Sequence, residues 1–251
     1  MNGEHQAITR IVRGGVIHVS RGQRTTNHAH YAWKLHIGLD APVWVRSAGE
    51  ALDADAGARV VVVPPGVQHS TGAMGWSCAV FIAPGTRGSP WRTNATPSGL
   101  GGPEASRLIA ACKGINAQAR ASTSDFISEL AHLARGGFKG SRSSDARAEA
   151  ALRQLRLDPD LSLSWLAAQA GISLDRLSRL VTGTTGVCLR SHALWYRLLR
   201  LLSSNTKHAS ITAAAMDAGF ADHAHMTRTF RAFLGRAPSE FREPPDAIEA
   251  W

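Results

Sequence analysis

Five nitrogen-bearing side chains fall close together in the first third of the sequence. His28, His30, Lys34 and His36 lie in NHAHYAWKLHIG, and His69 ends VVVPPGVQH. Neutral imidazoles ligate divalent metals, and a lysine ammonium recognises carboxylate, phosphate or sugar hydroxyls. His28, His30, Lys34 and His36 share parity, so in a strand all four project from one face, with Trp33, Leu35, Ile37 and Leu39 on the other. Two chemistries are open. The residues His28, His30, Lys34, His36 and His69, with Trp44 as a wall beside Trp33 and Trp76, would line a pocket for an organic effector. Alternatively, imidazoles of this group would hold a divalent metal, against which the charge of Lys34 counts. The effector pocket conflicts less with the residues present.

A second set of polar residues recurs on helical patterns near the C-terminus. In LSLSWLAAQAGISLDRLSRLV (161–181), Ser162 caps a helix from Leu163 to Ala170, Gly171 supplies a positive-φ turn and Ser173 caps a second helix. Ala167 is small where the helices cross, and Leu177 and Leu180 face back onto the first. The theme repeats from Ser210. Ala215 and Gly219 keep the four-residue spacing, Asp222 is an N-cap, and Met226 and Phe230 share the buried face. The outward face of the second unit then carries His223, Thr227, Arg228 and Arg231.

These residues must be positioned by two kinds of architecture. From Gly14 to about Pro84, Val16–Val19, Lys34–Leu39, Val43–Val45, Val60–Val63 and Cys78–Ile82 read as short strands between Gly, Pro, Asp and Asn, the pattern of a small β-barrel or sandwich. Pro84 to Pro103 is a connector. Helices are expected over Glu104–Lys113 and Ser124–Arg135, the latter with an apolar stripe suited to homodimerisation. Residues 136–144 are a flexible linker by composition. Beyond Asp145 only helices are expected, including Leu189–Leu202 between the two repeated units. The division is therefore 1–135, 136–144 and 145–251.

Residues 147–242 resemble the DNA-binding domain of the AraC/XylS transcription regulators. The resemblance rests on both units and above all on GFADHAHMTRTFRAFLGRAPSEFR, in which Gly219, Phe220, His225, Arg228, Phe230, Gly235, Pro238 and Phe241 match the family signature. Phe233-Leu234 departs from it, being more apolar than usual at the end of the last recognition helix. The resemblance implies that both recognition helices enter successive major-groove segments of promoter DNA, with RNA polymerase as a further partner. By family position it implies that Asp175, Arg176, Ser178 and Arg179 in the first unit, and His223, Thr227, Arg228 and Arg231 in the second, face bases or phosphates. Arg179 then suits bidentate contact with guanine or, as the plainer alternative, pairing with Asp175 one turn earlier. The N-terminal pattern is similar to the cupin fold, whose His-x-His and later His match His28, His30 and His69, with Lys34 where that fold places a glutamate. Together the resemblances imply an α+β protein of two domains. A cupin-like antiparallel β-barrel with following helices senses a small molecule and dimerises, and an all-α domain with two helix-turn-helix units binds DNA. A metal-dependent cupin enzyme or metal sensor fused to a DNA-binding module is the alternative reading.

Composition agrees with that frame. The 251 residues carry a net charge of +9, of which +7 lies in 1–144 and +2 in 145–251, so charge alone does not locate a nucleic-acid surface. No apolar run approaches the ~20 residues of a membrane span, and MNGEHQAITR lacks a signal-peptide core. Cys78, Cys112 and Cys188 lack metal spacing, which points to a reducing cytoplasm. No Gly-x-Ser-x-Gly or phosphate-cradling loop supports an enzyme, and no cofactor is called for beyond the metal alternative.

Overall fold

The computed structural model describes residues 8–12, 15–47, 58–83, 96–117, 145–204 and 210–238. Its N-terminal half is an antiparallel sheet built from β1 (Ile8–Val12), β2 (Gly15–Arg21), β3 (Trp33–Gly38), β5 (Val60–Val63), β7 (Trp76–Ile82) and β8 (Ser98–Leu100), in the order β1-β2-β7-β3-β5-β8. A two-stranded ribbon, β4 (Val43–Ser47) with β6 (His69–Ala73), packs on it through Val43, Val45 and Ala73 against Val61 and Val63. The strands expected from the sequence are all present. Three more, β1, β6 and β8, escape it because ITRIV, HSTGA and SGL are too short or too rich in small residues to show alternation.

The central strands are covered on both faces, as every residue of β3 is buried. One face carries Trp33, Leu35, Ile37, Ile17, Val19, Cys78 and Val80, which pack against Leu108 and Cys112 of α1 (Gly102–Ala117). The other face is polar in its middle. Register places His18 of β2 and His36 of β3 on either side of Ala79, and Val16 and Lys34 on either side of Phe81. The small Ala79 leaves the two imidazoles room. His28 and His30 do not share a strand with Lys34. They lie in an irregular segment that runs beside β6, bridged by reciprocal His28–His69 backbone bonds of 2.9 Å. The expected helix Ser124–Arg135 and linker 136–144 lie outside the described residues.

The C-terminal half is helical: α2 (Ala146–Leu157), α3 (Leu163–Gln169), α4 (Leu174–Thr185), α5 (Leu189–Ser204), α6 (Ile211–Asp217) and α7 (His223–Leu234). Asp145, Ser162, Ser173, Ser210 and Asp222 each accept a bond from a backbone N–H in the first turn that follows. Gly171 and Gly219 turn at φ +65° and +82°. A side chain at Gly219 would also collide with Asp160, Arg197 and Arg200. These three form an ion-pair cluster, with Arg200 2.5 Å and Arg197 3.3 Å from the Asp160 carboxylate. The turn of the second unit is thus seated on the loop that precedes the first.

The two halves share one apolar core. Ile11, Val16, Ala32, Phe81 and Ala83 of the sheet region are continuous with Trp195, Leu198, Phe230, Phe233 and Leu234. Phe233 lies 4.9 Å from the ring of Tyr31 and stacks on Trp195 at 6.0 Å. Thus the apolar Phe233-Leu234 ending meets the sheet domain. Among the described residues no helix is long and apolar enough to cross a membrane.

Phe233→Ala is expected to lower unfolding free energy by about 3–5 kcal/mol, the usual loss for truncating a buried phenylalanine. Urea denaturation checks this, and a loss below about 1 kcal/mol would contradict the packing.

Candidate nucleic-acid interface and ligand site

On the first helix-turn-helix unit, α4 exposes Asp175, Arg176 and Arg179, with Ser178 half-buried. Leu177 and Val181 anchor its opposite face in the core. The Arg179 guanidinium lies 2.7 Å from the Asp175 carboxylate, with both side chains more than 70 % exposed. Such an exposed i,i+4 pair is worth only about 0.3–0.5 kcal/mol, so a phosphate or base edge can replace it. On the second unit, α7 exposes His223, Arg228 and Arg231 and buries Met226, Phe230 and Phe233. Thr227 differs from the sequence expectation in one respect. It is half-buried, and its Oγ1 is covered and unbonded rather than presented outward. The Asp222 carboxyl is held below its usual range by the N–H of His225, which keeps the cap charged.

In the N-terminal half, the structure brings His28, His30 and His69 into one buried cluster. One imidazole nitrogen of each lies within 4.8 Å of the others. Their rings sit 4.3 to 5.5 Å apart. Burial is the main reason their basicity is suppressed, bringing His28 to about 4 and His69 to about 2, with the lysine charge as a further cause.

Lys34 reaches across the interior and donates to Thr71 Oγ1 of β6 at 2.6 Å, with its Nζ 5.6 Å from the Phe81 ring centroid. Burial first, then the charge of Arg236, lowers its pKa to about 7, so the amine is fully charged only below that. His36 lies on the same face, with Nε2 3.2 Å from Ser77 Oγ.

Trp44 is elsewhere. Its indole lies against Gly72 and near the Arg46 guanidinium, 5.2 Å from the ring. Trp33 is core, and Trp76 lines an open cleft of about 310 Å³ with Leu39, Asp40, Arg59 and Lys113, beyond the far end of β3 from His30.

Sequence reasoning did not single out His18 or Arg236. His18 Nε2 accepts from Arg236 Nη1 at 3.0 Å, and its Nδ1 donates to Thr9 Oγ1 at 2.9 Å. Burial and the Arg236 charge bring its pKa to about 3. The signal for His18 was its place in the apolar run VIHVS, but a partner 218 residues away leaves no local trace.

Residues 166–244 match the family described as a helix-turn-helix domain. Among solved structures, the chain is similar to ToxT from Vibrio cholerae. One such structure is 14% identical, covers 92% of this chain and 97% of ToxT and has a TM-score of 0.57. An apo variant of ToxT is 13% identical, covers 91% and 97% and has a TM-score of 0.61. ToxT bound to unsaturated fatty acid is 12% identical, covers 94% and 98% and has a TM-score of 0.56. The fold is thus that of a two-domain α+β protein with an N-terminal sheet region and C-terminal helix-turn-helix units.

His18 and His192 titrate near pH 6.5 when unfolded and are held neutral when folded, His192 down to about 4 by burial. The unfolded state therefore binds more protons in this interval. Their contribution is complete above pH 6.5 and is lost as pH falls toward 4. Urea midpoints should decline over that window, and His192→Gln should flatten the decline. A midpoint independent of pH would contradict the assignment.

Proposed function

We propose that this chain, whose C-terminal domain is an AraC-type helix-turn-helix domain, is a sequence-specific transcription regulator controlled by a small ligand in a cupin-like N-terminal domain. In this reading residues 1–135 sense and dimerise, 136–144 link, and 145–251 bind promoter DNA in the cytoplasm, where RNA polymerase is the further partner. The observation that carries it is the repetition on one chain of two capped helix-turn-helix units joined by a buried helix. Each unit presents cations outward, Arg176 and Arg179 on α4 and Arg228 and Arg231 on α7, with His223 beside the latter pair. Adjacent major-groove segments on one face of DNA lie about 34 Å apart, which a rigid connecting helix can bridge. Nothing in this arrangement requires catalysis.

The ligand is narrowed by what lines the N-terminal interior. ToxT shares the fold and is known with an unsaturated fatty acid bound. In this chain the interior of the N-terminal half carries His18, His30, Lys34, His36, His69 and Thr71, all buried. A hydrocarbon chain laid against them would leave the free ring nitrogens of His30, His36 and His69 unpaired, at a cost of about 1–3 kcal/mol each. A polar organic molecule or a metal ion suits these groups better.

Footprinting with the full-length chain should show two protected segments about one helical turn apart, on one face of the duplex. Arg179→Ala should weaken binding by about 1–3 kcal/mol and relax preference at one base pair. Arg228→Ala should either do the same or, as a phosphate contact, reduce the log–log salt slope by about 0.9. Equal affinity for random and selected duplexes would overturn the sequence-specific reading.

A further inference from the structure

The cleft of about 310 Å³ lined by Leu39, Asp40, Arg59, Trp76 and Lys113 lies near the lower end of the roughly 300–1000 Å³ that small-molecule sites span. It opens at the rim of the apolar core that Leu35, Ile37 and Leu39 form with α1, away from the polar face of Lys34 and His36. Four elements converge on it. Leu39 and Asp40 follow β3, Arg59 precedes β5, Trp76 begins β7, and Lys113 lies on α1 next to Cys112, which is buried in that core.

Backbone groups hold two of the charges in place. The Trp76 N–H donates to Asp40 Oδ1 at 2.6 Å, and the carboxylate lies over Gly75, where a Cβ would collide with it. Arg59 Nε donates to the Gly38 carbonyl at 2.9 Å. Asp40 Oδ2 and the Nη groups of Arg59 are left over, and among the described residues neither they nor Lys113 form an ion pair. One carboxylate and two cations therefore share a cleft without neutralising one another. A ligand bearing only a carboxylate would set its charge beside Asp40, and one bearing only an amine would set it beside Arg59 and Lys113; like charges so placed repel. A ligand carrying both charges satisfies both sides. Head groups already fixed by the backbone also lower the ordering cost of binding. The remaining wall is apolar, Leu39 and the half-buried indole of Trp76, and aromatic pairs gain stabilisation beyond their buried area.

We infer that this cleft binds an aromatic α-amino acid as its zwitterion, at a site separate from the interior of the N-terminal half. Asp40 takes the ammonium, the Nη edge of Arg59 takes the carboxylate with Lys113 as a second cation, and Trp76 packs against the ring. The bound molecule ties α1 to the ends of β3, β5 and β7. Binding there requires neither DNA nor an interior ligand.

The experiment is calorimetric titration of the full chain, without DNA, with L-phenylalanine, hydrocinnamate, phenethylamine and L-alanine. L-Phenylalanine should bind at one equivalent with a Kd of about 1 mM or tighter. The other three lack the ammonium, the carboxylate and the ring respectively, and each should bind about 10-fold or more weakly. Asp40→Asn, which keeps an oxygen for the Trp76 N–H, should weaken L-phenylalanine about 10-fold, whereas hydrocinnamate should bind no more weakly than to the wild type. Arg59→Gln and Lys113→Gln should weaken both ligands, and Arg107→Gln, elsewhere on the exposed face of α1, neither. Near-ultraviolet circular dichroism checks that each variant is folded. Absence of saturable L-phenylalanine binding, or binding unchanged in Asp40→Asn, overturns the site. Equal affinity for any of the three analogues overturns the assignment of a zwitterionic aromatic ligand. Because no measurement uses DNA, a failure here leaves the footprint above intact, and failure of the footprint leaves amino-acid binding intact.

Discussion

Phe233 occupies the point at which α7, the last described helix, meets the N-terminal sheet, and much of the structure is arranged around that contact. Its ring is buried between Tyr31 and Trp195, in a core that runs without a break from Val16 and Phe81 to Leu198 and Phe230. The next residues extend the contact in a different chemistry. Gly235 receives the imidazole of His28, and Arg236 donates to His18. An apolar contact is non-directional, whereas the two beside it fix the rotation of the helix end relative to the sheet. The result is a helix, α7, whose N-terminus faces outward and whose C-terminus is gripped by the sheet domain.

That arrangement gives the buried polar residues of the sheet a physical reason. A histidine in a strand covered on both faces is unfavourable unless its nitrogens are paired. His18 is paired by Thr9 and Arg236, and His36 in part by Ser77. His28, His30 and His69 are paired only at Nδ1. Three of the incompletely satisfied side chains, His28, His30 and His69, converge, and one of them abuts α7. Functional sites are where local rules of stability are most often broken.

The helical half was legible from the sequence because its signals are local. Ser162, Ser173, Ser210 and Asp222 cap the helices they precede, and Gly171 makes the turn its position demands. The strands with β-branched or aromatic residues were legible for the same reason. Parity placed Lys34 and His36 on one face of β3 but overextended that strand to His28 and His30, whose meeting with His69 comes from bridges across to β6. Trp44 was misplaced because an indole beside a small glycine on a neighbouring strand cannot be told from a pocket wall without the register Trp44–Gly72. The basic linker composition at 136–144 suggested independent halves, yet Phe233 and Leu234, apparent only as an oddly apolar helix end, bind them into one core. Such long-range pairings carry no spacing signal.

Hydrogen exchange of the full-length chain through a urea series tests the shared core most directly, with protection followed separately in β2, β3 and β7 and in α4, α5 and α7. Two halves joined by one continuous core should lose protection together, at coincident midpoints. Loss of protection in the helices at a distinct, lower urea concentration, with the sheet still fully protected, would contradict it.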